Sequence, residues 1–134
     1  MSFTFDPLVG GLQTVLDLRM AQHSLTASNL ANADTPGFKA KVLDFRQALA
    51  QAVDVGEGGL LRTDPRHLEA PGFDPEHLSV TEIEPEPWSV DGNSVLAERE
   101  TARLTENSLM YDAVSRGIDK KLALLAYAMS DGRS

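Results

Sequence analysis

The chain has 134 residues and no cysteine, with 12 Lys and Arg against 20 Asp and Glu, for a formal net charge of −8. The length fits one domain, and the missing thiols exclude a disulfide framework, a thiolate metal site and a Cys nucleophile. The acidic balance argues against nucleic acid as a partner and against an anionic membrane surface, both of which call for a basic footprint.

The first predicted element is a long helix. Asp6-Pro7 opens it, Asp as a cap for free amides and Pro at a position that has no amide to waste. Val9, Leu12, Leu16, Met20, His23, Ala27 and Leu30 follow at steps of three and four, and Leu8, Val15, Leu18 and Leu25 widen the stripe. His23 on this stripe reads as a core or interface residue, since no carboxylate partner stands near it in the sequence. The run stops at Asp34-Thr35-Pro36-Gly37, where the residue before Pro is pushed out of the helical region and Gly permits a reversal. About 27 helical residues would reach about 40 Å. Asn29 and Asn32 stand three apart just before the stop. Asn is mildly unfavourable inside a helix, so the pair reads either as an ordinary helix terminus or as hydrogen bonding to the returning backbone or to a neighbouring subunit. The first basic residue is Arg19, which leaves no positive segment ahead of an apolar stretch; export, if it occurs, is expected without a cleaved leader.

The middle region, 39–93, differs in composition. Residues 54–98 hold eleven acids and two bases, whereas 1–53 are balanced at four each and 99–134 hold five acids and six bases. Six of the seven prolines also fall between 36 and 87. A short helix is predicted over 43–53, with Phe45, Leu49 and Ala52/Val53 on one side, broken by Gly56, Gly58 and Gly59. Ser79-Val80-Thr81-Glu82-Ile83 alternates like a short strand, and Trp88-Ser89-Val90 is its expected partner. The acidic surplus places this region outward, as a solvated face.

The last element is a second long helix. Asp91-Gly92-Asn93-Ser94 supplies a turn and then an N-cap, and Glu98 and Glu100 suit the positive end of the helix. Leu104, Tyr111, Val114, Ile118, Leu122, Leu125 and Met129 recur with a period near 3.5, as in a helix that lies along another. About 35 residues would reach about 50 Å, and Gly117 is the weak point, costing about 1 kcal/mol relative to Ala. The expected fold is mainly α. Long N- and C-terminal helices pack as an antiparallel coiled coil around a small irregular middle with short strands; 1–38, 39–93 and 94–134 together make one domain. A thin pair of helices leaves apolar positions uncovered, notably Leu8, Leu18 and Leu25 beside Leu109, Met110 and Leu124, so assembly with further partners is expected.

Chemistry is sparse. Asp64-Pro65-Arg66-His67-Leu68 and Asp74-Pro75-Glu76-His77-Leu78 form a repeat whose Asp and His could ligate zinc, but Asp-Pro equally opens a turn that a Leu anchors. Glu82, Glu84 and Glu86 alternate with Ile83 and prolines as a solvated edge rather than a catalytic carboxylate pair. No nucleophile elbow, P-loop or dinucleotide fingerprint is present. No enzyme activity, metal, cofactor or small-molecule substrate is expected.

The string Asn29-Leu30-Ala31-Asn32-Ala33-Asp34-Thr35-Pro36-Gly37-Phe38 resembles the N-terminal signature of the bacterial flagellar rod and hook protein family. Thr63-Asp64-Pro65-Arg66-His67-Leu68, Asp91-Gly92-Asn93-Ser94-Val95, Glu98-Arg99-Glu100 and Asn107-Ser108-Leu109-Met110-Tyr111 are similar to further motifs of that family, in the same order. The short chain suits its proximal rod members, since hook and distal rod proteins carry much larger middles. The resemblance implies a structural, non-enzymatic subunit exported through the flagellar type III apparatus. It would polymerise through its terminal helices into the torque-transmitting rod that crosses the periplasm. Implied partners are other copies of itself, other rod proteins, the rod-base adaptor and the membrane ring. The expected assembly residues are then Val9, Leu12, Leu16, Met20 and Leu30 with Leu104, Asn107, Tyr111, Val114, Ile118 and Leu125 along the seam. Asn29, Asn32, Pro36 and Gly37 are expected at the turn and a subunit contact. The residues taken alone also fit a helical adaptor or secretion chaperone that binds a partner through its amphipathic helices.

Overall fold

The computed structural model describes residues 7–51 and 78–131. Helix α1 spans Pro7–Ala31, strand β1 Lys41–Leu43, helix α2 residues 45–51, strand β2 Val80–Glu82 and helix α3 Ala97–Asp131. Asp6 and the two Asp-Pro-x-His-Leu motifs, apart from Leu78, lie outside the described residues. So does the end of the short helix predicted over 43–53, whose first residue, Leu43, belongs instead to β1.

The two long helices pack together. Asn29 meets Glu100 and, ten residues back along α1, Arg19 meets Asn107, so α1 and α3 run antiparallel. Carried on from that level at about 1.5 Å per residue, α3 outruns the start of α1 by roughly a dozen residues, or about 18 Å. The offset leaves the last turns of α3 without α1 beside them.

β1 and β2 pair antiparallel, Lys41 opposite Glu82, Val42 opposite Thr81 and Leu43 opposite Val80. The ladder extends at both ends, through Ile83 N–H to Ala40 C=O at 2.8 Å and Asp44 N–H to Ser79 C=O at 3.1 Å. The partner of β2 is therefore β1, not the expected Trp88–Val90. Pro85 and Pro87 have no amide to donate, and the chain between them and Val90 turns, closed by Ser89 N–H to Glu86 C=O at 2.9 Å.

The apolar core is small and lies on the sheet side of α1. Leu18, Leu43 and Ala48 are buried, with Leu25, Phe45, Leu49 and Leu78 packed around them. Leu18 is 1% exposed, contrary to the expectation that it stays uncovered. It closes onto β1 and α2, and burying such a side chain contributes about 1.5–3 kcal/mol. In the second half of α1 the buried line runs through Leu18, Thr26 and Asn29, whereas Met20, His23 and Ala27 on the predicted stripe are exposed. His23 is thus not a core histidine. The sheet pulls one side of α1 inward, and Met20, His23 and Ala27 are left facing out. Arg19 lays its guanidinium over the Phe45 ring at 4.1 Å, closing the edge of the core.

A polar clasp and a bare helix end

The α1–α3 contact near the turn is made by amides and a carboxylate. Asn29 is 1% exposed, and its side chain behaves like an extra peptide unit on the free edge of β1. Antiparallel pairing aims the Lys41 backbone away from β2. There Lys41 N–H donates to Asn29 Oδ1 at 2.9 Å, and Asn29 Nδ2 donates to Lys41 C=O at 2.8 Å. The second Nδ2 hydrogen goes to Glu100 Oε2 at 3.0 Å. Glu100, 2% exposed on the first turn of α3, accepts from Arg103 Nη1 through its other oxygen at 2.7 Å. One amide therefore ties α1, β1 and α3 together with no buried hydrogen left over. Only a short side chain with both donor and acceptor can do this, which explains an Asn where helix propensity disfavours one.

A second Asn performs the matching task from the other side. Asn93 Nδ2 lies within 2.8–2.9 Å of the carbonyls of Asn32, Ala33 and Thr35, which satisfies backbone acceptors freed where α1 ends. Its Oδ1 accepts from Val95 N–H at 2.6 Å. Ser94 is not the N-cap of α3, which starts three residues later at Ala97. Its hydroxyl accepts instead from Ala40 N–H at 2.8 Å, and its own N–H donates to Phe38 C=O at 3.0 Å. Gly37 N–H donates to Asp91 C=O at 2.9 Å. Gly37 and Gly92 both have φ of +72°, a conformation that strains any residue with a Cβ. A Cβ on Gly92 would lie 3.8 Å from the Gly37 Cα, so the two left-handed turns face one another.

Farther along, Asn107 Nδ2 donates to Arg19 C=O at 2.8 Å, while Asn107 Oδ1 and Arg19 Nε are buried with no hydrogen-bond partner among the described residues. Tyr111, Val114 and Ile118 are still half-buried, and from Leu122 onward α3 becomes bare. Leu122, Leu124, Leu125, Tyr127 and Met129 are all exposed, three of them by more than 60%. Residues 122–129 carry no charge, and their apolar side chains occupy the whole circumference. A helix apolar all round belongs in a core, not in water.

The sequence-predicted assembly residues separate into distinct places. Val9 is buried, and Leu12, Leu16, Leu30, Leu104, Tyr111, Val114 and Ile118 are half-buried along the helices. Met20 and Leu125 are exposed. Asn29 and Asn107 are buried within the subunit; Asn32 is half-buried, bonding back to Ser28 C=O at 2.8 Å. Pro36 and Gly37 form the exposed turn. Sequence reading did not single out Asn93 or Glu100 as site residues. Asn93 stands in a turn-rich string, and Glu100 was fully accounted for by the helix dipole. Among the described residues no group of three or more acidic or histidine side chains could hold a metal ion, and no described helix is long and apolar enough to cross a membrane.

A family model described as flagella basal body rod protein matches residues 19–39, the stretch that runs from Arg19 through Asn29 to the turn. The flagellar basal body rod protein FlgB of Aeromonas hydrophila is 34% identical over 133 residues, covering 96% of this chain and 97% of the relative. FlgB of Yersinia enterocolitica is 37% identical over 114 residues, 79% of this chain and 83% of that protein. FlgB of Escherichia coli K12 is 34% identical over 104 residues, 74% and 75% of the two chains.

Proposed function

The chain belongs to the flagellar basal body rod proteins of the FlgB type, and on that premise we propose that it polymerises through its terminal helices into the proximal, torque-transmitting part of the rod. It is a structural subunit of the basal body rod. The observation that carries the polymerisation reading is the uncovered apolar end of α3. An eight-residue apolar run on a helix already 35 residues long has no use in an isolated subunit. Surrounded by helices of adjoining subunits, the same run becomes core.

The clasp serves this assembly by position. By fixing the register of α1 on α3 near the turn, Asn29, Asn93 and Asn107 determine how far α3 projects and which of its faces remain free. Met20 and Leu125, exposed in the subunit, supply seam contacts to neighbours, with Leu12, Leu16, Leu30, Leu104, Tyr111, Val114 and Ile118 behind them. Asn32, Pro36 and Gly37 present the turn to an adjoining subunit. Partners are other copies, other rod proteins, the rod-base adaptor and the membrane ring. Export runs through the flagellar type III apparatus, and the rod crosses the periplasm. The role is mechanical, without catalysis or cofactor. Deleting the gene tests the reading: cells should keep the membrane ring and lose rod, hook and filament. Retained flagella would refute it.

A further inference from the structure

The two edges of the small sheet are finished differently. On β1 the outer edge is sealed, because the Asn29 amide bonds both the N–H and the C=O of Lys41. On β2 it is open. Ala40 C=O accepts from Ile83 N–H and Ser79 C=O from Asp44 N–H, so Ser79, Thr81 and Ile83 address β1 and the residues between them point the other way. Val80 N–H turns back to Leu78 C=O at 2.9 Å. Val80 C=O and both backbone groups of Glu82 have no partner among the described residues.

Beside this open edge an apolar concavity of about 450 Å³ lies between α1 and β2. Met20, Ala21 and Leu25 line it from α1, and Leu78 and Val80 from the strand. Leu25 and Leu78 also pack against the buried Leu18, Leu43 and Ala48, so the concavity continues the apolar core outward. Met20 is nevertheless 58% exposed and Val80 39%. A sheet with one edge sealed, the other edge bare and an apolar trough beside the bare one is a strand short.

We propose that β2 receives an extended segment of a different basal-body protein as a third strand. This rests on the rod reading and specifies a surface it uses. Unpaired backbone groups along a strand edge are matched by another extended backbone, and side-chain pockets beside the edge then choose among sequences. The residue opposite Val80 enters the concavity and is apolar. Two positions along, the residue opposite Glu82 is basic. Glu82 has Lys41 across from it on β1, while the concavity on its other side is lined by Asp17 and no base. A second copy does not offer this strand from its own sheet: β1 has no free edge, and β2 laid against β2 sets like carboxylates side by side.

Hydrogen exchange at the Glu82 amide tests this in the parent chain, comparing the purified subunit with isolated basal bodies. The expected result is free exchange in the subunit and exchange slower by roughly a hundredfold or more in basal bodies; equal rates overturn the proposal. Glu82→Pro tests it genetically, since it deletes an outward amide and leaves the β1–β2 ladder whole. That variant should melt close to the parent yet fail to restore flagella in a deletion strain, whereas Glu82→Ala restores them. Parental flagellation with a folded Glu82→Pro chain overturns the proposal, and if the variant does not fold, the exchange rates decide alone. The chain has no cysteine, so a disulfide-linked dimer from Glu82→Cys in oxidised basal bodies would put a second copy on the edge and overturn the assignment to a different protein. The gene deletion keeps the two claims separate. Flagella lost on deletion with an unprotected Glu82 amide rejects the strand docking alone, whereas flagella retained on deletion rejects the rod reading beneath it.

Discussion

At its first turn α3 presents Glu100, 2% exposed and bonded to Asn29 and Arg103; at its last turns it presents Leu124, Tyr127 and Met129, 63–66% exposed and touching little. Between them lies Asn107, buried but with only its donor side satisfied. The polar groups of α3 are therefore satisfied by its own chain near the turn and less so farther out. Polar groups that need directional partners are gathered where the chain supplies them. Apolar groups, which accept any neighbour, are left on the turns of α3 that project past the start of α1. A subunit built this way can fix its register alone and complete its core only in company.

Substitutions should break this gradient unequally. The largest effect on the isolated subunit is expected from Asn29→Asp, which removes both donors and puts a second carboxylate against Glu100. An unpaired buried charge costs about 3–5 kcal/mol, and urea unfolding followed by circular dichroism should register it. Leu18→Ala empties the small core between α1, β1 and α2, at a cost of about 2–4 kcal/mol in the same measurement. Gly37→Ala forces a Cβ into a left-handed turn and costs about 1–2 kcal/mol. Gly117→Ala should act in the opposite direction, stabilising by about 0.5–1 kcal/mol, because the added methyl meets nothing and the helix interior favours it. Leu124→Glu should leave the subunit's stability within about 0.5 kcal/mol, since an exposed side chain makes few contacts to lose. Equal losses from Asn29→Asp and Leu124→Glu would erase the distinction between the two ends.

Much of the fold was legible in the sequence because long helices advertise themselves. The stripes, Pro7 and the Thr35-Pro36-Gly37 stop placed α1 almost to its observed ends, and the period near 3.5 foretold that α3 lies along a partner. The strand at 80–82 was legible from its alternation, but its pairing was not, because the three residues of β1 carry almost no periodic signal and lie some forty positions away. Leu18 was misplaced for the same reason: it is buried by β1 and α2, contacts that no pattern within α1 reveals. The Asn signal at 29 and 32 was visible as an anomaly of propensity. Its physical explanation for Asn29, an amide completing the edge of β1, needed Lys41 and Glu100 in space. Ser94 looked like a cap, since Ser before a helix usually is one, and only the position of Ala40 showed its hydroxyl engaged elsewhere.

The central claim is that the bare end of α3 exists for assembly and not for the fold of the subunit. Complementation of the gene deletion with the Leu124→Glu/Tyr127→Glu double variant tests it most directly, together with thermal unfolding of the purified variant. The account predicts a melting temperature close to the parent's and cells that build the membrane ring but no rod, hook or filament. Normal flagella from that variant, or a loss of flagella explained by collapse of the purified subunit, would contradict it.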